Sequence, residues 1–206
     1  AIAAMVKPPL RFASRGGNSW APYGLRACRL ARRSPCCGCW IRRQRRPMPR
    51  STNLSPNMAS FLDAIAWSEI GPALLDLSDD GYNVVVGSTP QRPILFDDYS
   101  RHPRIRRYEV NSDAAGRYQF MGRYWEHYKR QLNLPDFGPE SQDKWAIQLI
   151  RECKAIDMVE SGMFDNAINA CRSRWASFPG AGYGQHEHEL DSLRMAYTQA
   201  GGTLGA

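Results

Sequence analysis

No acidic residue occurs in the first 57 positions of this 206-residue chain. Those positions hold one Lys and eleven Arg instead, a local charge of +12. The rest of the chain carries fifteen basic and twenty acidic side chains, a net charge of −5. The overall charge of +7 is therefore an average over two unlike parts. The longer, acidic part carries no electrostatic footprint for nucleic acid. Also missing is any run of the ~18 apolar residues that a membrane-spanning helix needs, which excludes an integral membrane protein of that type. Cysteine is scarce after position 57, where only Cys153 and Cys171 occur. Two such residues do not build a disulfide framework, and both read as reduced core residues of a protein made inside the cell. There is no Gly-x-Ser-x-Gly elbow, and neither cysteine has a reactive-site signature, so nucleophilic hydrolases are disfavoured. The loop Gly180-Ala181-Gly182-Tyr183-Gly184 lacks the Lys-Ser/Thr ending of a phosphate loop, so nucleotide binding has no support.

What is present is globular composition, with 43% hydrophobic and 23% charged residues. Residues 1–57 are the exception. They lack periodicity, are rich in Pro, Gly, Ser and Arg, and are expected to be disordered. Four readings of them stand. The composition matches an organellar transit peptide. A basic arm can also bind nucleic acid or anionic lipid. Cys28, Cys36, Cys37 and Cys39 form a cluster, but without the paired spacing of a structural zinc site. The simplest reading takes Met58 as the natural start and the upstream stretch as extra translated sequence. No apolar core follows a basic start, so a secretory signal is not indicated. The expected organisation is thus a basic extension over 1–57 and one domain over 58–206.

The domain reads as α+β, one small antiparallel β region followed by helices. A first helix is predicted from Phe61 to Glu69, capped by Ser60 and stopped by Gly71-Pro72. Phe61, Ile65 and Glu69 share one face of it. Tyr82 to Val86 reads as a strand bounded by Gly81 and Gly87, pairing with Pro93 to Phe96. Asp97 to Asp113 reads as a long loop with a third short strand near Arg107–Val110. Helices are predicted over Arg117–Leu132, Pro139–Cys153, Ile156–Val159, Phe164–Trp175 and Glu187–Ala200, the last closed by Gly201-Gly202.

Glu69 is the first chemical candidate. A carboxyl on a half-buried helix face loses solvation, which disfavours its charged form and suits a general acid. The same position also suits a helix-end residue or a salt-bridge partner. Gly116-Arg117-Tyr118-Gln119 is read as a helix start, where Gln119 can orient a polar ligand and Tyr118 can belong to the core. Tyr183, displayed between glycines, suits stacking on a sugar ring, or simply marks an interhelical turn. His186-Glu187-His188-Glu189 lacks the His-Glu-x-x-His spacing that places two metal ligands on one helix face. His102 and His127 read as polar surface or satisfied core residues. Trp67, Tyr118, Trp125 and Trp145 fit a core or a carbohydrate cleft equally well.

Several separated segments, taken in order, resemble one family. They are Phe61-Leu62-Asp63 with Ala66-Trp67-Ser68-Glu69, Gly81-Tyr82, Val84 to Gly87, and Asp98-Tyr99-Ser100. The series continues with His102-Pro103-Arg104, Ala115-Gly116-Arg117-Tyr118-Gln119 and Ser141-Gln142-Asp143. It ends with Trp175-Ala176-Ser177, Pro179 through Gln185, Glu187-His188 and Asp191-Ser192-Leu193. The chain from about residue 60 to 202 is similar to the lambda-type phage endolysins, lysozyme-like lytic transglycosylases of peptidoglycan. Residues 1–57 have no counterpart.

The resemblance implies a lysozyme-like fold whose cleft lies between a small β region and a helical lobe. It implies cleavage of the β-1,4 bond between N-acetylmuramic acid and N-acetylglucosamine, with a 1,6-anhydro product. Glu69 matches the family's catalytic glutamate, and Gln119, Tyr118 and Tyr183 would line the cleft. No metal or organic cofactor is implied. The implied partners are glycan strands and a separate holin-type pore-former, with a monomeric enzyme held in the bacterial cytoplasm until release. Two departures stand out. Ile70 occupies the place of the family's Gly, so the turn must shift or the helix must run one residue longer, because a β-branched residue resists positive φ. Asn83 replaces an acidic residue in the β region. Asp76, Asp79 and Asp80 are the remaining candidates for a second carboxylate in the cleft.

Overall fold

The structure is a computed structural model that describes residues 51–184 and 186–205. The expectations for residues 1–50 lie outside the described residues.

Helix α1 runs from Pro56 to Ile70. It starts five residues earlier than the periodicity predicts, because Ser55 rather than Ser60 caps it. The Ser55 hydroxyl accepts the Met58 N–H at 3.0 Å, and Pro56 takes the first turn, where no N–H is needed. Ser60 lies inside the helix and donates to Ala200 O at 3.0 Å. The body also reaches behind Met58: the Ser51 N–H donates to Asp143 Oδ2 at 3.1 Å, and Asn57 binds both Glu160 O and the Thr203 N–H. The boundary expected at 57/58 therefore cuts through packed structure. Phe61, Leu62, Ala64, Ile65 and Ala66 are all fully buried, so α1 is a central helix rather than a surface helix with one apolar stripe.

Gly71 resolves the question posed by Ile70. The helix runs one residue longer, Ile70 keeps a helical conformation, and Gly71 takes φ 81°, ψ 150°. That region is essentially restricted to glycine. The Gly71 N–H closes on Trp67 O at 3.0 Å. Pro72 then begins a second helix, α2 (Pro72–Leu77). The Gly-Pro pair therefore stops α1 as the sequence predicts, and it also opens a second helix, because Pro suits a first turn.

The β region is smaller than predicted. Antiparallel bridges join Val84 to Leu95, Val85 to Ala115 and Ala115 to Phe120, but no longer ladder forms among the described residues. The expected pairing of 82–86 with 93–96 does occur, through Val85 N–H to Ile94 O at 2.9 Å and Phe96 N–H to Asn83 O at 3.0 Å. Pro90 and Pro93 remove N–H donors and keep the pair short. The third strand expected near 107–110 is a single 3₁₀ turn, Tyr108–Val110, closed by Asn111 in the left-handed region.

Residues 116–119 are a turn, Phe120 is bridged to Ala115, and α3 begins only at Gly122 and runs to Gln131. The remaining helices are α4 (Pro139–Glu152), α5 (Ile156–Glu160), α6 (Phe164–Cys171) and α7 (Leu190–Gln199). The last two are shorter than predicted. In the core, α1 packs against α7, α5 and α2. A second aromatic group stacks Phe120 on Trp145 at 4.0 Å and surrounds them with Trp125, Tyr128 and Phe137. Of the aromatic residues considered for a sugar cleft, Tyr118, Trp125 and Trp145 are thus core residues. Cys153 and Cys171 are both free, and only Cys171 is fully buried.

His102 is a satisfied core residue. Its Nε2 faces Phe120 O at 2.9 Å, and its Nδ1 accepts the Arg104 N–H at 3.1 Å, which fixes a neutral ring with the proton on Nε2. Burial holds it below its ordinary value of 6.5. The unfolded chain therefore binds the second ring proton, the one that makes the imidazolium, more tightly than the folded one. The contribution of the neutral ring is complete above about pH 6.5 and is lost as the pH falls. The melting temperature is expected to drop between pH 7 and pH 5, and to drop less steeply in His102→Gln. Equal slopes in thermal melts would remove His102 as the cause.

Candidate active site

Glu69 stands one residue before the end of α1, half-buried where the helix meets the bridged segment. A cleft of about 100 Å³ opens there, lined by Glu69, Ile70, Leu74, residues 84–88 and Gln119. Among the described residues, Glu69 is the only acid lining it. Its Oε1 accepts the Ser177 hydroxyl at 2.7 Å.

Gln119 reaches the cleft because of an unusual backbone. Gly116 at φ 82° and Gln119 at φ 50° turn the chain back on itself, so the helical directions expected for 117–119 do not apply. Gly116 is required by a close approach: a Cβ there would collide with the Gln142 side-chain amide. The buried Gln142 amide holds the turn, accepting the Arg117 N–H and donating to Tyr82 O and Phe137 O. The Gln119 amide donates to Gly116 O at 2.9 Å, which leaves its carbonyl oxygen as the group to offer a ligand.

Tyr118 is not in the cleft. Its side chain is 1% exposed, and its hydroxyl donates to Asp143 Oδ1 at 2.6 Å. It points to the opposite side of the turn from Gln119, so the cleft-lining expectation for Tyr118 is corrected to a core role. Burial pushes its phenol well above the ordinary range. Tyr183 lies on the loop after α6, half-buried, with its hydroxyl donating to Ser173 O at 3.2 Å. It is not among the residues lining the cleft at Glu69.

Asp76, Asp79 and Asp80 do not line that cleft either. Asp80 pairs with Arg117 at 2.6 Å, and Asp79 accepts the Tyr99 hydroxyl at 2.8 Å. Asp76 and Asp80 border a different depression of about 290 Å³, together with Asp63, Trp67 and Arg117. Asn83, the departure in the β region, accepts the Asp79 N–H through its side chain.

The loop carrying Ser177 and Tyr183 is shaped by its own residues. Both Glu187 oxygens accept backbone N–H groups, from Gly180 at 2.8 Å and Gly182 at 2.7 Å. That use of Glu187 delays the start of α7 to Leu190. The ring of His188 sits 4.8 Å from Trp67 and its Nε2 lies 3.1 Å from Ser68 O. No group of three or more His, Cys, Asp or Glu is placed to hold a metal ion among the described residues. Ser177 is the residue that sequence reasoning missed. Its one signal was its place in Trp175-Ala176-Ser177, because an isolated serine in a loop has no periodicity to mark it.

The fold is lysozyme-like. It superposes on a structure of bacteriophage lambda lysozyme complexed with a chitohexasaccharide with a TM-score of 0.67 and 42% identity, covering 75% of this chain and 99% of that one. A second structure of lysozyme from bacteriophage lambda gives a TM-score of 0.65 at 40% identity, with the same coverage. The endolysin of Escherichia phage P2 is 46% identical over 73% of this chain and 96% of its own length. The endolysin of Escherichia phage lambda is 45% identical over 70% and 91%. The family model for endolysins matches residues 59–204, and the chain belongs to that family.

Proposed function

We propose that this protein cuts the glycan strands of bacterial peptidoglycan by non-hydrolytic transglycosylation, with Glu69 as acid and then base. The bond cleaved is the β-1,4 link between N-acetylmuramic acid and N-acetylglucosamine. The observation that carries the reading is a cleft with a single acid in it. Ordinary glycosidases place two carboxylates at a set separation across the scissile bond. Here Asp76, Asp79 and Asp80 lie outside the Glu69 cleft: Asp79 and Asp80 are bonded elsewhere, and Asp76 and Asp80 border a separate depression. A transglycosylase needs one carboxyl.

In this mechanism protonated Glu69 donates to the glycosidic oxygen as the bond to the muramic C1 breaks, leaving an oxocarbenium-like sugar. The C6 hydroxyl of the same sugar attacks C1, and the Glu69 carboxylate takes its proton. The carboxyl ends as it began, and water is not consumed. Gln119 faces the same cleft and is assigned to hold a sugar polar group through its carbonyl oxygen. Tyr183 is assigned a wall-facing position further along the loop. The relative crystallised with a chitohexasaccharide, a chain of β-1,4-linked N-acetylglucosamine, supports a glycan of this class. No metal or organic cofactor enters any step.

In biological terms the protein acts as a monomeric lytic enzyme of a phage or prophage, on the cell wall and causing host lysis. No helix is long and apolar enough to cross a membrane among the described residues. The enzyme is proposed to accumulate in the host cytoplasm and to reach the wall through a separate holin-type pore-former. Residues 1–57 are assigned no part in catalysis. The chemistry of the released ends tests the reading: anhydro-muramic ends support it, and reducing ends replace it with hydrolysis.

A further inference from the structure

We infer that Ser177 is a positioning residue for Glu69, tying one carboxyl oxygen to the loop after α6 so that the other exchanges the proton with the sugar. This rests on the catalytic reading of Glu69.

The geometry is built from both sides. Trp175 and Phe178 flank Ser177 and are buried, with their rings 5.6 Å apart, so the backbone carrying the hydroxyl is anchored. The Ser177 carbonyl accepts the His188 N–H at 2.9 Å. His188 in turn reaches Ser68 O, and the Ser177 oxygen lies 3.0 Å from the Ser68 oxygen. The loop is thus fastened to the last turn of α1 at the point where Glu69 projects.

A serine hydroxyl has one hydrogen and can accept two. The Ser68 hydroxyl spends its hydrogen on Ile65 O at 2.9 Å. The Ser177 hydrogen then has two acceptors, the Ser68 oxygen and Glu69 Oε1. A carboxylate is the stronger, and the 2.7 Å separation is that of a charge-assisted bond. With Ser177 donating to Oε1, that oxygen stays the carbonyl end of the neutral acid. The transferable proton is therefore carried on Oε2, leaves from there and returns there. When Glu69 is neutral, the Ser68 oxygen offers the same hydrogen a second partner. On the loop side His188 reaches the carbonyl of Ser68, the residue before Glu69, and burial holds its ring below its ordinary value. The cleft side presents no other acid.

The test uses full-length protein with Ser177→Ala, Ser177→Cys and Ser177→Thr, beside Glu69→Gln. Steady-state rates on soluble peptidoglycan fragments, pH profiles and thermal melts are compared. Ser177→Ala is expected to lower kcat about 100-fold with KM within about twofold, the lower end of the effect of removing one preorganised donor. Losing a donor to the charged form also favours the protonated acid, so the alkaline limb of kcat moves to higher pH. Ser177→Cys keeps the volume with a weaker donor and shifts the same way, and Ser177→Thr restores both. Unchanged kcat and an unchanged limb in Ser177→Ala, with Glu69→Gln inactive, overturn the inference and leave the catalytic reading standing. Activity in Glu69→Gln instead overturns the reading itself. Loss of folding in both the Ala and Cys variants assigns Ser177 to stability and also overturns the inference.

Discussion

Glu69→Gln is expected to leave the fold intact and abolish lysis. The amide has nearly the same shape, and its carbonyl oxygen still accepts the Ser177 hydroxyl now bound to Oε1. Ile70 and Gly71, which shape the helix end, are untouched. What is lost is the proton that can be given and taken back. General acid–base catalysis by one positioned group is worth about 10²–10⁴-fold, and in the proposed mechanism one group does both halves of the work. A fall of at least about 1000-fold in peptidoglycan solubilisation, with the melting temperature unchanged, is the predicted result. Lysis at an appreciable fraction of the wild-type rate would take Glu69 out of the mechanism.

The second large effect is on stability and lies far from the chemistry in role. Asp143 is fully buried in α4. Its Oδ1 accepts the hydroxyls of Tyr82 at 2.9 Å and Tyr118 at 2.6 Å, and its Oδ2 accepts the Ser51 N–H. Tyr82 also lies under the Arg117 guanidinium, which pairs with Asp63 and Asp80. One carboxylate therefore joins the bridged segment, the Gly116–Gln119 turn and the chain before α1. Asp143→Ala strips these donors of their acceptor inside the core. Removing one member of such a buried charged network costs about 3 kcal/mol or more. For a domain of this size that is a fall of roughly 6–12 °C in melting temperature. Tyr118→Phe removes one bond and costs about 1 kcal/mol. Thermal melts check both, and kcat and KM of Tyr118→Phe are expected to match wild type. A raised KM in that variant would return Tyr118 to the substrate cleft.

The sequence carried much of the fold and less of the site, for reasons visible in single residues. Helices α4 and α5 follow a 3.6-residue pattern with clear starts, and their predicted ranges agree to within a residue or so. The first helix starts earlier than its periodicity predicts because Ser55, and not Ser60, caps it, and a cap five residues upstream of the apolar pattern leaves no mark in that pattern. Gly71-Pro72 marks the end of α1 correctly, but a glycine at positive φ followed by proline looks the same whether or not a second helix follows, so α2 is not visible in the pattern. Around Tyr118 and Gln119, periodicity misled: with Gly116 and Gln119 both at positive φ, neighbouring side chains diverge into core and cleft. The Glu69 position, by contrast, was legible, because an acid near the end of a buried helix is an anomaly in the pattern itself. Ser177 was not, since the contact behind its proposed role spans 108 positions of sequence.

The measurement that most directly tests the central claim is the mass of the muropeptides released from purified peptidoglycan by the full-length protein. A single acid in the cleft predicts products lighter by one water, with muramic ends that resist borohydride reduction. Products with reducible muramic ends would contradict the account, because they require water as the nucleophile and a second group to activate it.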